Sequence, residues 1–416
     1  MALKTISVIG LGYIGLPTAT AIAAQKINVI GVDSNKQIVD LVNDGKIHIS
    51  EPDLDELVHA VVKDGYLHAT QESQSADAYI ITVPTPFKEQ HKPDLSYIEA
   101  ASKAISTVLK KGDLIILEST SPVGTTEKMS GWLAEYRTDL TFPHTHGEAS
   151  DIRVAYCPER VLPGHIVREL IENDRIIGGI SHQCSVAAVA LYKLFVKGEC
   201  IITNVRTAEM TKLAENSFRD VNIAFANELS IISDQLNIDV WELIRLSNRH
   251  PRVNILQPGA GVGGHCIAVD PWFIIDKSPE SSRLIKTARN VNDSKPEWVI
   301  EKINLAIVDY LQNNPHKNIK DVTIACFGLT FKPDVNDLRG SPAYMIAKAI
   351  NNTHSGNVLA VEPNVNSEEY DGIKVVNIDI ALKQSDILVL LVKHVEFKKN
   401  KDRIYGCPYI VDAVGV

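Results

Sequence analysis

The chain has 416 residues, which at about 150 residues per domain suggests two or three domains. Hydrophobic residues make up 45% and charged residues 22%, an ordinary globular balance that allows a large buried core. The net charge of −9 excludes a global attraction to nucleic acid or to an anionic membrane, so an anionic substrate must be held by local Arg and Lys.

The first elements read as a strand–helix–strand unit. Thr5–Ile9 is a short buried strand, Gly10-Leu-Gly12-Tyr13-Ile14-Gly15 a turn, and Leu16–Gln25 the start of a helix. Val29–Val32 is the next strand and ends at Asp33. Thr5 to Gln25 carry no charge, a pattern that also suits a membrane span or signal peptide. Gly10, Gly12, Gly15 and Pro17 interrupt it, and a strand followed by a phosphate-binding turn explains them better. In Gly-x-Gly-x-x-Gly the first glycine permits the tight turn, the second lets the backbone approach a pyrophosphate, and the third lets helix pack on strand. Asp33 stands where a carboxylate accepts bonds from a ribose diol and repels a 2′-phosphate, which favours NAD over NADP. Gly10, Gly12, Tyr13, Ile14, Gly15 and Asp33 are therefore candidate NAD-binding residues.

Ala78–Val83 and Leu114–Leu117 are further apolar runs, closed by Pro84-Thr85-Pro86 and Glu118-Ser-Thr-Ser-Pro122. Strands alternating with helical stretches predict a doubly wound parallel sheet. Thr85 and Thr126 follow strand ends, where such sheets place ligand loops; the same spacing suits a turn residue or a helix cap.

From Thr207 to Leu236 there is neither Pro nor Gly, which predicts one helix spanning roughly 45 Å at 1.5 Å per residue. Glu209, Lys212, Asn216 and Arg219 share one of its faces, set opposite Met210, Leu213 and Phe225. That face is either solvated or functional, because a Lys–Asn pair four apart can hold an oxygen that becomes negative during reaction. More helix is expected near Trp241–Ser247 and Arg283–Asp309.

Pro258–Gly264 has four glycines in seven residues, which lets backbone amides converge on an anion. Cys266 and Asp270 follow, and His250, Arg252 and His265 add polar or cationic groups. Cys266 is the candidate nucleophile, acting as its thiolate. Cysteines 157, 184, 200, 326 and 407 read as structural. The six are scattered without a Cys-x-x-Cys pair, so neither a disulfide framework nor a zinc site is predicted, and a reducing cytoplasm is expected.

The C-terminal hundred residues repeat the opening order. Val322–Phe327 runs into Gly328-Leu-Thr-Phe-Lys-Pro333, a helix follows near Ala343–Asn351, and Val358–Val361 ends at Glu362 as Val29–Val32 ends at Asp33. Asp386–Val392 parallels Asp77–Val83. The expected class is α/β: two Rossmann-like doubly wound parallel-sheet domains joined by a central helical domain with a long bridging helix. The expected divisions are 1–203 for NAD, 204–312 for the helical domain with the Cys loop, and 313–416 for the nucleotide sugar.

Taken together, Gly10–Gly15, Val83-Pro-Thr-Pro86, Glu118-Ser-Thr-Ser-Pro-Val-Gly124, Cys157-Pro-Glu-Arg160, Ala208-Glu-Met-Thr-Lys-Leu213, Gly263-Gly-His-Cys266 with Asp270, and Phe331-Lys-Pro333 with Asp337-Leu-Arg339 form one constellation. Over essentially its whole length the chain resembles the nucleotide-sugar 6-dehydrogenases, the family of UDP-glucose and GDP-mannose dehydrogenases. His265-Cys-Ile-Ala-Val-Asp-Pro271 and Asn216-Ser-Phe-Arg219 resemble the branch acting on N-acetylhexosamines.

The resemblance implies oxidation of a sugar C6 alcohol to a carboxylate with two NAD and one water. Cys266 would attack the C6 aldehyde, and the thiohemiacetal would become a thioester that water cleaves. Lys212 would donate and accept a proton or clamp the C6 oxygen, with Asn216 as partner. Asp270 and Glu159 would handle the hydrolytic water or its protons. Arg160, Val161, Arg219, His250, Arg252 and Gly263 would line the UDP-sugar site together with Lys212 and Asn216. Phe331 and Lys332 would reach it from the C-terminal domain, and Arg339 would contact NAD. In relatives the residue matching Arg252 comes from the partner subunit, which implies at least a homodimer. Pro163 stands where UDP-glucose dehydrogenases often carry a second Glu, and Val269 where they carry Lys; both weaken a transfer from those members. No role is assigned to Gly340.

Overall fold

A computed structural model of the chain describes residues 3–49, 51–161, 164–365 and 367–416. Pro163, one of the two departures noted above, lies outside the described residues. By contacts the chain divides into two units, residues 1–215 with 272–278, and residues 216–271 with 279–416.

The first unit is built on an eight-stranded sheet. Its strands are β1 (Thr5–Ile9), β2 (Asn28–Val32), β3 (Leu67–Thr70), β4 (Ala78–Ile81), β5 (Leu114–Leu117), β6 (Arg153–Tyr156), β7 (Arg175–Gly179) and β8 (Cys200–Asn204). Their order is β3-β2-β1-β4-β5-β6-β7-β8, and every pairing is parallel except β6 with β7. The central strands β4 and β5 read as unbroken apolar runs because both faces are covered. Ile6, Val8, Leu16 and Ile22 pack on one face, and Ile9, Tyr79, Ile81 and Leu117 on the other. The chain leaves β1 toward β2 on one side and returns to β4 on the other. The carboxyl ends of β1 and β4 thus flank the switch point where such sheets bind ligands.

The second unit carries a six-stranded sheet of β9 (Thr323–Phe327), β10 (Asn357–Val361), β11 (Glu369–Tyr370), β12 (Ile373–Val375), β13 (Ile387–Leu390) and β14 (Ile410–Asp412). The order is β11-β12-β10-β9-β13-β14, with an antiparallel β11 at the edge. The helix Arg283–Asn313 adds Val299, Ile303 and Ile307 to its core. The repeat seen in the sequence is present at atomic detail. Gly10 donates to the Val32 carbonyl at 2.7 Å, and Gly328 donates to the Val361 carbonyl at 2.9 Å, with φ near +95° and +94°.

The long helix runs from Val205 to Gln235. Its burial differs from the amphipathic expectation. Glu209, Leu213, Asn216, Asp220 and Asn227 are all buried, so Leu213 shares the inner face with the polar residues instead of opposing them. Met210, Phe218, Phe225 and Ile232 are exposed. The polar residues tolerate burial because each has a partner. Asp220 bonds to Arg289 at 2.6 Å, and Asn227 bonds to Asn292 and to the Gly259 amide, both at 2.9 Å.

Candidate active site

At the end of β1 the glycine turn is shaped by two different constraints. A Cβ on Gly15 would lie 1.7 Å from the Gly10 carbonyl oxygen, and one on Gly10 would lie 3.1 Å from the Thr82 carbonyl. Those two glycines are required by the chain's own backbone. A Cβ on Gly12 would meet nothing within 4 Å. The open space beside Gly12 fits a group from outside the chain, and the N-terminus of the helix Gly15–Ala23 suits a pyrophosphate there. Tyr13 is exposed and Ile14 half-buried beside it.

Asp33 lies at the end of β2, half-buried, and fixes the turn. Its Oδ2 accepts the Leu11 amide at 2.9 Å and its Oδ1 the Asn35 amide at 2.9 Å. A carboxylate offers about four acceptor positions, so a ribose hydroxyl still fits. The matching turn of the second sheet differs. Glu362 is buried, accepts the Leu329 and Thr330 amides, and pairs with the buried His394 at 3.1 Å. Burial pushes its carboxyl up, but the bond and charge of His394 outweigh this and hold it below the ordinary value. The second turn is thus closed by the chain's own side chains.

Thr85 donates its hydroxyl to the Thr120 carbonyl at 2.6 Å. Thr126 is fully buried, and its amide and hydroxyl both bond to Glu209 Oε1, at 2.8 and 2.7 Å. Glu209 Oε2 accepts the Gly124 amide at 2.6 Å, so this carboxylate caps the helix Thr125–Tyr136. Burial raises the Glu209 carboxyl above its ordinary value despite these bonds. The role of Glu209 was not legible in the sequence, where it stood beside Lys212 as one more polar residue. Glu209→Ala would orphan three donors and should lower the unfolding free energy of this unit by about 2–4 kcal/mol. Urea titration checks this; an unchanged midpoint would show that the cap carries no stability.

Glu159 is buried at the end of β6. Its Oε1 accepts the Arg160 amide at 2.6 Å and its Oε2 accepts Arg175 Nη1 at 2.7 Å. The Arg160 guanidinium reaches Glu215 on the long helix, at 2.6 and 3.1 Å. Val161 and Lys212 are half-buried.

In the second unit, Asn216 donates Nδ2 to Asp270 Oδ2 at 2.5 Å, and both residues are buried. The Asp270 amide donates to the Cys266 carbonyl at 2.9 Å, which places the exposed Cys266 one turn before that carboxylate. The glycines of the preceding loop have a packing reason. A Cβ on Gly264 would lie 2.7 Å from the Phe331 ring, and one on Gly263 2.3 Å from the Gly340 carbonyl. The 331–342 segment thus lies directly on the Cys loop and brings Phe331 and Cys266 into one neighbourhood. Arg339 is held by Asp337, at 2.9 and 2.8 Å. Burial pushes the Asp337 carboxyl up, yet the Arg339 bonds, with help from the charge of His265, leave it below its ordinary value. Arg219, His250 and Arg252 are exposed, and Lys332 is half-buried.

Three family models match the chain in succession. The NAD binding domain of the UDP-glucose/GDP-mannose dehydrogenase family matches residues 4–196, its central domain 206–294 and its UDP binding domain 325–416. The chain belongs to the UDP-glucose/GDP-mannose dehydrogenase family. It is an NAD-dependent nucleotide-sugar dehydrogenase. It is 59% identical over 419 residues to the UDP-N-acetyl-D-mannosamine dehydrogenase of Yersinia pestis, covering 100% of both chains. It is also 59% identical over 416 residues to the NDP-N-acetyl-D-galactosaminuronic acid dehydrogenase of Ralstonia solanacearum, covering 99% and 96%. Among solved structures it is similar to the UDP-D-ManNAc dehydrogenase of Pyrococcus horikoshii, with a TM-score of 0.88 and 37% identity over 99% of this chain and 95% of that one. Among the described residues no helix is long and apolar enough to cross a membrane.

Proposed function

We propose that the protein oxidises C6 of UDP-N-acetyl-D-mannosamine to the carboxylate, through a thiohemiacetal and a thioester on Cys266. The observation that carries this is the exposed Cys266, one turn ahead of the Asn216–Asp270 pair, in a chain matched end to end by such an enzyme. The product, UDP-N-acetyl-D-mannosaminuronate, suits surface polysaccharide synthesis of the enterobacterial common antigen type.

NAD, when bound beside Gly12 and Asp33, accepts the hydride lost at each of the two oxidations. The thiolate of Cys266 adds to the C6 aldehyde, and the carbonyl oxygen becomes negative. Lys212 and Asn216 hold that charge, where a fixed cation and amide act most strongly because it exists only during reaction. After the second oxidation water attacks the thioester carbon and the thiolate leaves. Asp270, one turn after Cys266 and hydrogen-bonded to Asn216, and Glu159, hydrogen-bonded to the Arg160 amide and to Arg175, are the two carboxylates for the water's proton. Arg160, Val161, Arg219, His250, Arg252, Gly263, Phe331 and Lys332 line the UDP-sugar site. Thr85, Thr126 and Arg339 complete the NAD site, the first two by fixing the turns they bond.

The three-part division at 203/204 and 312/313 goes with this reading, as does a homodimer. Phe218, Phe225 and Ile232 recur every seven residues on the outer face of the long helix and are 69%, 50% and 42% exposed, a stripe that suits a second copy. A cytoplasmic site follows from the supply of NAD and nucleotide sugars.

A second reading, an N-acetylgalactosamine or other UDP-hexose substrate, rests on the equally similar Ralstonia relative. NADH release by the purified protein across UDP-N-acetylmannosamine, UDP-N-acetylglucosamine, UDP-N-acetylgalactosamine and UDP-glucose decides among them. Two NADH per UDP-N-acetylmannosamine is expected. One NADH would point to simple alcohol oxidation, and none from any sugar to a silent NAD-binding protein.

A further inference from the structure

Five buried side chains meet at the carboxyl ends of β5 and β6, far apart in sequence. Glu118 follows β5, Cys157 and Glu159 follow β6, Arg175 opens β7, and Tyr192 ends the helix His182–Tyr192. Arg175 Nη1 bonds to Glu159 at 2.7 Å and lies 3.6 Å from Glu118 Oε1, while Nη2 donates to the Leu170 carbonyl at 3.0 Å. The Tyr192 ring covers the guanidinium at 5.4 Å, and its hydroxyl donates to Glu118 at 3.4 Å. From Glu159 the connection continues through the Arg160 amide, and from the Arg160 guanidinium to Glu215, three residues after Lys212.

Two carboxyl groups face one guanidinium out of contact with water. Were both ionised, one negative charge would be buried without a partner, which is expensive. Glu118 is the carboxyl farther from Arg175 and is the one that keeps its proton. Burial, and then the charge of Glu159, push it up to about 8 against the pull of Arg175.

We propose that Arg175 and Glu118 are positioning residues that hold Glu159 and the Arg160 backbone in the geometry the reaction needs. The inference rests on the proposed function, in which Arg160 binds the substrate and Glu159 stands beside it. When Glu118 loses its proton, two carboxylates compete for one guanidinium and Glu159 loosens. The groups facing Glu118 are Glu159, Arg175, Tyr192 and Cys157. Burial pushes both the Cys157 thiol and the Tyr192 hydroxyl above their ordinary values, and Arg175 stays charged. The Glu118 carboxyl, pushed up to about 8, is thus the group whose proton loss disturbs the cluster.

Glu118→Gln keeps the shape and fixes the neutral form. It should retain most of the wild-type kcat at pH 7 with unchanged KM, and its kcat should hold above pH 8, where that of the wild type is expected to fall. Stability gives a second reading. The folded chain holds the Glu118 proton between its ordinary value near 4.5 and about 8, and the unfolded chain does not, so wild-type stability falls as pH rises across that window. The variant lacks that loss, so its Tm advantage should widen from pH 5 to 8. Arg175→Met should lower kcat by about 100-fold, as small misplacements do, with Arg175→Lys recovering part of it. If Arg175→Met does not fold, Glu118→Gln decides alone. Two NADH per sugar from the wild type together with a Glu118→Gln pH profile identical to wild type would overturn the positioning role and leave the reaction standing. No NADH from the wild type would remove both.

Discussion

Cys266→Ser is expected to stop net turnover, by at least about 10³-fold, while leaving NAD and UDP-sugar affinity within a few-fold of wild type. Serine fills the same exposed position ahead of Asp270, so the loop, its glycines and the Asn216–Asp270 bond have no reason to move. What changes is the nucleophile. At neutral pH a thiol supplies some thiolate, whereas an unactivated hydroxyl supplies almost no alkoxide. A thioester also gives water a better leaving group than an ester does. Binding by calorimetry and turnover by NADH absorbance separate the two effects. Near-normal turnover in the serine variant would mean that the sulfur is structural.

The second large effect concerns the glycine turn, where two single-methyl substitutions should part company. Gly15→Ala places a methyl 1.7 Å from the Gly10 carbonyl and 2.5 Å from the Thr82 hydroxyl, so the turn has to open. It should cost about 2–4 kcal/mol of stability and abolish NAD binding. Gly12→Ala places its methyl where no atom of the chain lies within 4 Å. Its Tm should match wild type while NAD affinity falls by about 10–100-fold, or roughly 1.4–2.8 kcal/mol. Thermal melting with and without NAD reads both. An NAD affinity unchanged in Gly12→Ala would move the pyrophosphate away from this turn.

The parts of the molecule readable in its sequence are those where a local pattern and its cause lie within a few residues. Thr5–Ile9 and Leu114–Leu117 form the strands expected of short apolar runs bounded by turn residues. Gly10 to Asp33 forms the expected turn and strand end, since strand, glycines and acid are close in the chain. The long helix was visible from the absence of Pro and Gly, but its inner face was not. Glu209, Asp220 and Asn227 look like solvent residues until Gly124, Arg289 and Gly259 are seen beside them. The Glu118–Arg175–Glu159 cluster was hidden for the same reason, because its members come together only when β5, β6 and β7 pair. The four glycines in Pro258–Gly264 suit an anion cradle by sequence alone. Two of them, Gly263 and Gly264, are explained by Gly340 and Phe331, which lie some seventy residues away.

Mass spectrometry of the intact protein, quenched during turnover of a slow UDP-sugar with NAD, probes the covalent step itself. A gain equal to one oxidised nucleotide sugar, mapped to Cys266 and missing from Cys266→Ser, is the predicted result. A protein that turns over yet never carries that mass on Cys266 would contradict the thioester route.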